Sequence, residues 1–208
     1  MAQQKALHMI RYHIHRMIAP VALVIVGFFL AACQTTPNAP PPKIFSDEAF
    51  RPLPLNARRL EIIDNWQMPM KGSFVGHRAS PLPTDVVGQW ASTVLQPAGG
   101  SGEIVLDLKR ASVTMLDLPL KQGLDGLFVD QQSHRVTAEI EAQLMWLQPV
   151  GGAHARIELR ATHAVTIAES STPGVVLGAI HESLQGAIKR LDRQARQELG
   201  KVDRLVLP

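Results

Sequence analysis

The most regular hydrophobic pattern in the chain lies in two segments of its second half. Apolar residues occupy every second position through residues 136–146 and again through 155–167, where His163 is the one exception. This period of two is typical of β-strands with one buried face, and residues 149–152 supply the Pro and Gly of a turn. The register that this turn imposes places Glu141 opposite Arg160 on the polar face, a favourable pair in an antiparallel hairpin.

Two further strands are predicted before this hairpin, over residues 58–66 and 103–115. In the second of them the apolar positions are even-numbered up to Leu108 and odd-numbered from Ala111. A strand can change its buried parity in this way through one extra residue, so we expect a β-bulge near residues 109–110.

Two helices are predicted, one before and one after the three later strands. Thr84 or Asp85 is expected to cap the first, and its buried side is formed by Val86, Val87, Trp90, Val94 and Leu95. Thr172 and Pro173 open the second, since Pro is tolerated at the first helical position. Its apolar stripe consists of Val176, Ile180, Leu184, Ala187, Ile188, Leu191 and Ala195. Its polar side includes His181, Gln185, Lys189, Arg193 and Gln197.

This order of elements predicts the fold class. Both helices carry a single apolar stripe and the sheet is apolar on one face, so the two must pack as two layers. We expect an α+β fold with a mainly antiparallel four-stranded sheet and two helices on one face, in the order β-α-β-β-β-α.

A long apolar connection separates the strand over residues 103–115 from the hairpin. Residues 116–133 exceed what a hairpin needs, and they include Leu124, Leu127 and Phe128. One hypothesis is that this loop binds a partner protein or a lipid through these side chains. The alternative is that it folds over an open edge of its own sheet.

The amino-terminal segment has the three parts of a secretory signal. Residues 5–16 are basic, residues 18–32 are almost wholly apolar, and small residues end the run. The apolar run is shorter than the roughly 20 residues that a membrane-spanning helix needs, and Pro20 interrupts it. Its end, Leu30-Ala31-Ala32-Cys33, resembles the lipobox of bacterial type II signal peptides.

This resemblance implies that a peptidase recognises Leu30, Ala31 and Ala32, cuts before Cys33, and leaves a diacylglyceryl group on the cysteine sulfur. Two or three acyl chains would anchor the protein durably to a bilayer. Three regions follow: a signal peptide over residues 1–32 that is removed, a lipidated cysteine and Pro-rich tether over 33–54, and a single α+β periplasmic domain over 55–208. Translation could also begin at Met9. An uncleaved membrane anchor with an incidental cysteine is the alternative.

The charge balance restricts the classes of partner that the chain can bind, and the cysteine count restricts its crosslinks. Three of the 21 basic residues, Lys5, Arg11 and Arg16, precede Cys33, which leaves 18 basic against 18 acidic residues in the mature chain. A nucleic-acid-binding protein normally keeps a basic excess, so we expect no nucleic-acid partner. Cys33 is the single cysteine, so an internal disulfide is excluded.

No catalytic or metal-binding motif is visible, so we expect a non-enzymatic protein without a cofactor or metal. In the predicted register His163 faces Ala138 and His134 faces Ile167. The two histidines are then offset by about 13 Å along the sheet, too far for one metal ion. A close cluster of His163 with polar residues in an open pocket would instead favour a hydrolase.

The last helix also has a basic face. It consists of Lys189, Arg190, Arg193, Arg196 and Lys201, interspersed with Asp192, Glu198 and Asp203. These side chains could contact the phosphates of phospholipid or lipopolysaccharide. The alternative is an ordinary solvated face in which the opposite charges alternate.

Taken together, the chain resembles small envelope lipoproteins of Gram-negative bacteria. It looks like uncharacterised alphaproteobacterial lipoproteins that have a tryptophan-bearing helix, here residues 89–91, and a Gly-Leu-x-Gly-Leu-Phe loop, here 123–128. The element order also resembles the lipopolysaccharide-assembly lipoprotein and the auxiliary lipoproteins of lipid-transporting ABC systems. These families imply an accessory role in envelope assembly or lipid transport, with an envelope protein or lipid as partner. The alternative is a structural lipoprotein that contacts the cell wall.

The residue after the cysteine bears on the location. In enteric bacteria an Asp at this position retains lipoproteins in the inner membrane, and this chain has Gln34 there. We therefore expect a lipid anchor in the outer membrane with the domain facing the periplasm, and the inner membrane is the alternative.

Overall fold

A computed structural model of the protein describes residues 50–119 and 131–208. Six strands and two α-helices follow one another in these ranges. They are β1 (Leu53–Leu55), β2 (Arg59–Asp64), α1 (Pro83–Val94), β3 (Leu95–Pro97), β4 (Glu103–Asp117), β5 (Gln132–Leu147), β6 (His154–Ala168) and α2 (Pro173–Leu199). A short 3₁₀ turn, Gly76–Arg78, precedes α1.

The main sheet has four strands in the order β2-β4-β5-β6. The β4–β5 and β5–β6 pairs are antiparallel, whereas β2 pairs with β4 in parallel. The predicted α+β class and the order β-α-β-β-β-α are therefore confirmed. The structure adds β1 and β3, which form a separate two-stranded parallel sheet of three residues each. Strands this short have no hydrophobic period, so the sequence pattern does not reveal them.

The hairpin β5–β6 has the predicted register. Glu141 lies opposite Arg160, and Ala138 lies opposite His163. Buried residues alternate along both strands, so one face of the hairpin belongs to the core and the other carries the charged side chains. The agreement shows that the alternation and the turn together specify the pairing.

The predicted β-bulge also occurs. Leu108 pairs with Ala142 and Arg110 pairs with Glu141, so Lys109 is the extra residue of β4. The bulge lets apolar residues on both sides of it face the core, and Lys109 forms an ion pair with Asp107 on the outer side. This ion pair is the largest cause of a lowered pKa at the Asp107 carboxyl.

Helix α1 begins slightly earlier than predicted. Its N-cap is Leu82, not Thr84 or Asp85, because Pro83 takes the first helical position. Asp85 still contributes to the cap, since its carboxylate accepts a hydrogen bond from the Leu82 backbone N–H at 3.3 Å. The predicted apolar residues, Trp90 among them, are buried.

Helix α2 begins as predicted. The Thr172 hydroxyl accepts a hydrogen bond from the Val175 N–H at 3.4 Å, and Pro173 follows it. Both helices pack on the same face of the main sheet in one hydrophobic core, and the Trp90 indole N–H donates to Asp192 Oδ1 of α2 at 3.2 Å. Neither α1 nor α2 is long and apolar enough to cross a bilayer, and no other helix of the described residues is.

The sequence prediction was wrong about the exposure of one residue of α2. His181 was expected on the polar side, but its side chain is buried, with 3% of its surface exposed. Ala179, Ile180, Ser183 and Leu184 are buried as well, so this part of the helix is enclosed on more than its apolar stripe. Periodicity along one helix does not show what else in the fold covers it, which is why the prediction was wrong.

The connection between β4 and β5 is shorter than predicted. Both strands extend beyond the predicted ends, and Asp117 pairs with His134. The Leu118 N–H donates to the Ser133 carbonyl at 2.7 Å and continues the ladder. Leu116 and Ser133 therefore do not belong to a loop, and the predicted apolar residues between them lie outside the described residues.

The carbonyl of Asn56 joins the small sheet to the main one. It accepts hydrogen bonds from Trp146 Nε1 at 2.9 Å and from Gln148 Nε2 at 3.0 Å. A Cβ atom at Gly102 would lie 2.8 Å from the same carbonyl oxygen, so only glycine lets the backbone approach this closely. Near this junction Leu55 forms an antiparallel bridge with Val206 of the carboxyl-terminal segment.

Candidate functional site

The residues of the predicted lipidation site and of the predicted binding loop lie outside the described part of the chain. They are Leu30, Ala31, Ala32 and Cys33 before residue 50, and Leu124, Leu127 and Phe128 within residues 120–130. Their roles stay predictions. What the described residues do bring together is His163 and part of the predicted basic face of α2.

This grouping forms a pocket of about 340 Å³ where α2 crosses β6, and it is open to solvent. We call it the α2–β6 pocket. Its lining consists of His163, Glu182, Gln185, Gly186, Lys189, Arg190 and Arg193. Except for His163, these residues are spaced three, four or one apart along one side of α2, so a single helix face forms most of the wall.

Side chains of α2 hold the helix against the outer edge of β6. Gln194 accepts a hydrogen bond from the Arg160 backbone N–H at 2.8 Å and donates to the Glu158 carbonyl at 3.4 Å. One turn earlier, Arg190 donates to the Thr162 carbonyl at 2.8 Å. β6 is an edge strand, and these contacts satisfy backbone groups that would otherwise face solvent. They also fix the position of the pocket wall.

His163 lies on the core-facing side of β6 and packs directly against the helix backbone at Gly186. A Cβ atom at Gly186 would overlap the imidazole ring, so any larger residue there must displace it. The ring's Nδ1 is buried and has no hydrogen-bond partner among the described residues. Gly186 is therefore the residue that allows a histidine of the sheet to form one wall of the pocket.

The basic face of α2 divides into two parts in the structure. Arg196 pairs with Asp192 at 2.8 Å, and Lys201 pairs with Glu198 at 2.8 Å. Lys189, Arg190 and Arg193 instead line the α2–β6 pocket, and within residues 50–119 and 131–208 none of them forms an ion pair. The cations in the middle of the helix are exposed, as in a solvated face, but the carboxylate pairing found at its end does not extend to them among the described residues.

Comparisons with known proteins add a weak structural likeness. No protein-family model matches the chain, and no curated protein matches it. Among solved structures, the chain is similar to a protein of Caulobacter crescentus CB15 described as a "putative lipoprotein". The similarity has a TM-score of 0.32 and 12% sequence identity, and it covers 67% of this chain and 85% of that one. The function is therefore inferred from the chain's own residues.

His163 does lie with polar side chains in an open pocket, the arrangement that would have favoured a hydrolase. The lining residues include no serine, threonine or cysteine that could act as a nucleophile. Among the described residues no hydrogen bond joins Glu182 to His163. Three cations against one carboxylate suit the binding of an anion better than acyl transfer.

The other histidines do not contribute to this pocket. His181 is buried in α2 with both ring nitrogens unpaired among the described residues, and burial lowers the pKa of its imidazole. His134 contacts Asp117 at 3.3 Å at the far end of β5. The residues that the structure describes contain no group of three or more His, Cys, Asp or Glu side chains placed to hold a metal ion.

Part of this pocket was readable from sequence and part was not. The spacing of Lys189 and Arg193 shows that they share a helix face, and the hairpin register places His163 on the inner side of β6. Gly186 gave a weaker signal, because a glycine inside a helix often marks a close contact. The sequence does not say which strand residue that contact involves.

Proposed function

We propose that this chain is a non-enzymatic lipoprotein of the bacterial envelope, anchored in the outer membrane through acylated Cys33, with its folded domain in the periplasm. The observation that carries the proposal is the segment before the domain: a basic flank, a short apolar run and Leu30-Ala31-Ala32-Cys33. The thiol is the chain's single cysteine, and no other motif in the sequence uses it.

The organisation of the chain supports this anchoring. Residues 34–43 are polar and rich in proline, so they suit an extended tether. At about 3.1 Å per residue in the extended proline-type helix, such a tether spans on the order of 30 Å, so a domain can lie at the membrane surface or as far as that from it. A domain with this range can reach a partner embedded in the same membrane while it stays in the periplasm.

We further propose that the domain acts by binding an envelope protein or lipid, as an accessory to envelope assembly or lipid transport. Two features support a binding role. The lining of the α2–β6 pocket has more cations than carboxylates and contains no nucleophilic side chain. The sequence between β4 and β5 is rich in apolar residues, among them Leu124, Leu127 and Phe128.

The anchor is tested by intact-protein mass spectrometry of the chain purified from membranes of its native host. The expected mass corresponds to a chain that begins at Cys33 and carries fatty acids on it. Cys33→Ser should yield an unlipidated protein that leaves the membrane fraction or keeps its signal segment. A native protein without fatty acid, or one with its first 32 residues still attached, would contradict the proposal.

The partner class is tested by crosslinking in native membranes and by sedimentation with purified peptidoglycan. A protein that assists envelope assembly or lipid transport should be recovered covalently joined to an envelope protein or lipid. A structural lipoprotein of the cell wall should instead sediment with peptidoglycan and give no specific crosslink. The second result would replace the binding role and leave the anchor intact.

A further inference from the structure

We infer that the α2–β6 pocket binds a phosphate-bearing anion. Lys189, Arg190 and Arg193 line it against one carboxylate, Glu182, so the wall has an excess of positive charge, although residues 33–208 as a whole contain equal numbers of basic and acidic residues. The inference deepens the proposed function by naming a ligand class. The proposed function supplies the source of the phosphate in the cell, whereas the binding itself is argued from the residues of the pocket.

Two of the three cations have no partner in the described structure. Neither Lys189 nor Arg193 forms a hydrogen bond or ion pair within residues 50–119 and 131–208, and Glu182 pairs with neither. The two cations are four residues apart on one helix, a spacing at which like charges repel and destabilise the helix. An anion held between them would remove that repulsion. The neighbouring cations Arg196 and Lys201 instead have carboxylate partners.

The third cation is already positioned. Arg190, one of the lining residues, donates one N–H to the Thr162 carbonyl at 2.8 Å, which holds its guanidinium against β6. A guanidinium has five N–H donors, so the others remain for a ligand. Arginine matches the geometry of phosphate oxygens in a bidentate manner, and an arginine that is already held loses less freedom on binding.

The size and lining of the pocket favour a headgroup over an acyl chain. Its volume of about 340 Å³ lies at the small end of the range for ligand sites. The pocket is open, and each side chain in its lining carries a polar or charged group on an aliphatic or ring framework. A phosphate, whether free or part of a lipid headgroup, can be held here while the rest of a lipid stays in the bilayer.

The test uses full-length protein purified in a neutral maltoside detergent and isothermal titration calorimetry. One arm titrates inorganic phosphate, and the second adds phosphatidylglycerol to the micelles, with diacylglycerol as the phosphate-free lipid. Lys189→Gln combined with Arg193→Gln should weaken binding about tenfold or more, because charge-assisted hydrogen bonds to the anion are lost.

A matched control removes the same number of positive charges at another place on the domain. Arg156 and Arg160 are exposed on the opposite face of β6, so Arg156→Gln combined with Arg160→Gln removes two positive charges away from the pocket. This control should change affinity by about twofold or less, since the distant charges are screened by solvent and salt. Circular dichroism checks that both double variants are folded.

A second pair of variants tests the pocket without a change in charge. Gly186→Ala places a methyl group on the His163 ring and should weaken binding, whereas Gly178→Ala on the same helix meets no atom within 4 Å and should not. Tighter binding of phosphatidylglycerol than of phosphate identifies a lipid headgroup as the source, and the reverse identifies a small free anion.

Binding of neither probe would overturn the inference, as would equal loss in the two double variants. Acylation of Cys33 is measured separately by mass spectrometry. A failure of the pocket and a failure of the proposed anchoring therefore give different results.

Discussion

Two histidines of this domain have buried ring nitrogens without a described hydrogen-bond partner, and this lowers the stability of the fold. His181 is the clearest case, because its ring is buried while neither nitrogen has a described hydrogen-bond partner. A buried polar group without a partner costs about 1–3 kcal/mol. His163 has one such nitrogen as well, against Gly186. His163 lies at the contact of α2 with the sheet, and His181 is buried within the same helix, so substitutions in and against α2 test both costs.

His181 should make the domain less stable in acid. Burial lowers its pKa below the usual 6.5, so the folded state disfavours the proton that the unfolded chain accepts. The contribution of the neutral His181 ring to the free energy of unfolding is complete above pH 6.5. It is lost as the pH falls below 6.5 toward the lowered pKa. His181→Leu should raise the free energy of unfolding by about 1 kcal/mol at pH 7.5, and by more at pH 5.5.

Urea denaturation of both proteins at the two pH values measures this effect. The difference between the wild-type chain and the variant isolates His181, because all other groups titrate in both. A difference that is the same at pH 5.5 and pH 7.5 would show that the imidazole is not desolvated in the folded state.

Two glycines of α2 should respond in opposite directions to the same change. Gly178 and Gly186 are both inside the helix, where Gly→Ala gains up to about 1 kcal/mol of helix propensity. The new methyl group meets no atom within 4 Å at Gly178 but overlaps the His163 ring at Gly186. We expect a higher melting temperature for Gly178→Ala and a lower one for Gly186→Ala. Equal stabilisation by both would mean that His163 moves aside freely.

At the scale of elements, α2 has a second role beside burying the core. β6 is the last strand of the sheet, and an exposed strand edge invites pairing with another chain. The side chains of Gln194 and Arg190 form hydrogen bonds with outward-facing backbone groups of β6 between Glu158 and Thr162. The helix therefore covers both the apolar face of the sheet and part of its edge.

Removal of one of these contacts should be visible at a single amide. In Gln194→Ala the Arg160 N–H loses its acceptor, and we expect its hydrogen exchange to accelerate together with a stability loss of about 1 kcal/mol. Gln197→Ala is the control, since Gln197 is exposed on the same helix and has no described hydrogen bond. Unchanged protection of the Arg160 amide, measured by NMR, would show that α2 does not protect this edge.

At the scale of the whole molecule, the proposed work depends on surfaces at two places. The α2–β6 pocket is described in the structure, whereas the apolar residues between β4 and β5 are predicted from sequence alone. The proposed lipid anchor would bring both close to one bilayer. A pocket for an anion and an apolar segment are complementary to the two parts of a lipid, or to a membrane-bound partner.

Leu127→Ser combined with Phe128→Ser should separate partner binding from stability. If the segment contacts a partner, the double variant should lose crosslinking in native membranes and keep its melting temperature, since no core contact is lost. If the segment covers the sheet of its own domain, the melting temperature should fall clearly instead. Differential scanning calorimetry and the membrane crosslinking assay distinguish the two results.

The spacing of apolar residues by itself determined the four strands of the main sheet, the two helices, the bulge at Lys109 and the pairing of Glu141 with Arg160. These features depend on which side of one local element is buried, and the period along the chain records that directly. The segment around Cys33 is likewise a local pattern, since a peptidase would read it before the domain folds.

Only the tertiary structure decided that His163 meets Gly186, that His181 is buried, and that Arg190 and Gln194 cover the edge of β6. Each of these contacts depends on where α2 crosses the sheet. That crossing follows from how side chains on two separate elements fit together, which no period along one of them records. The small sheet of β1 and β3 also required the fold, because strands of three residues are too short for a pattern.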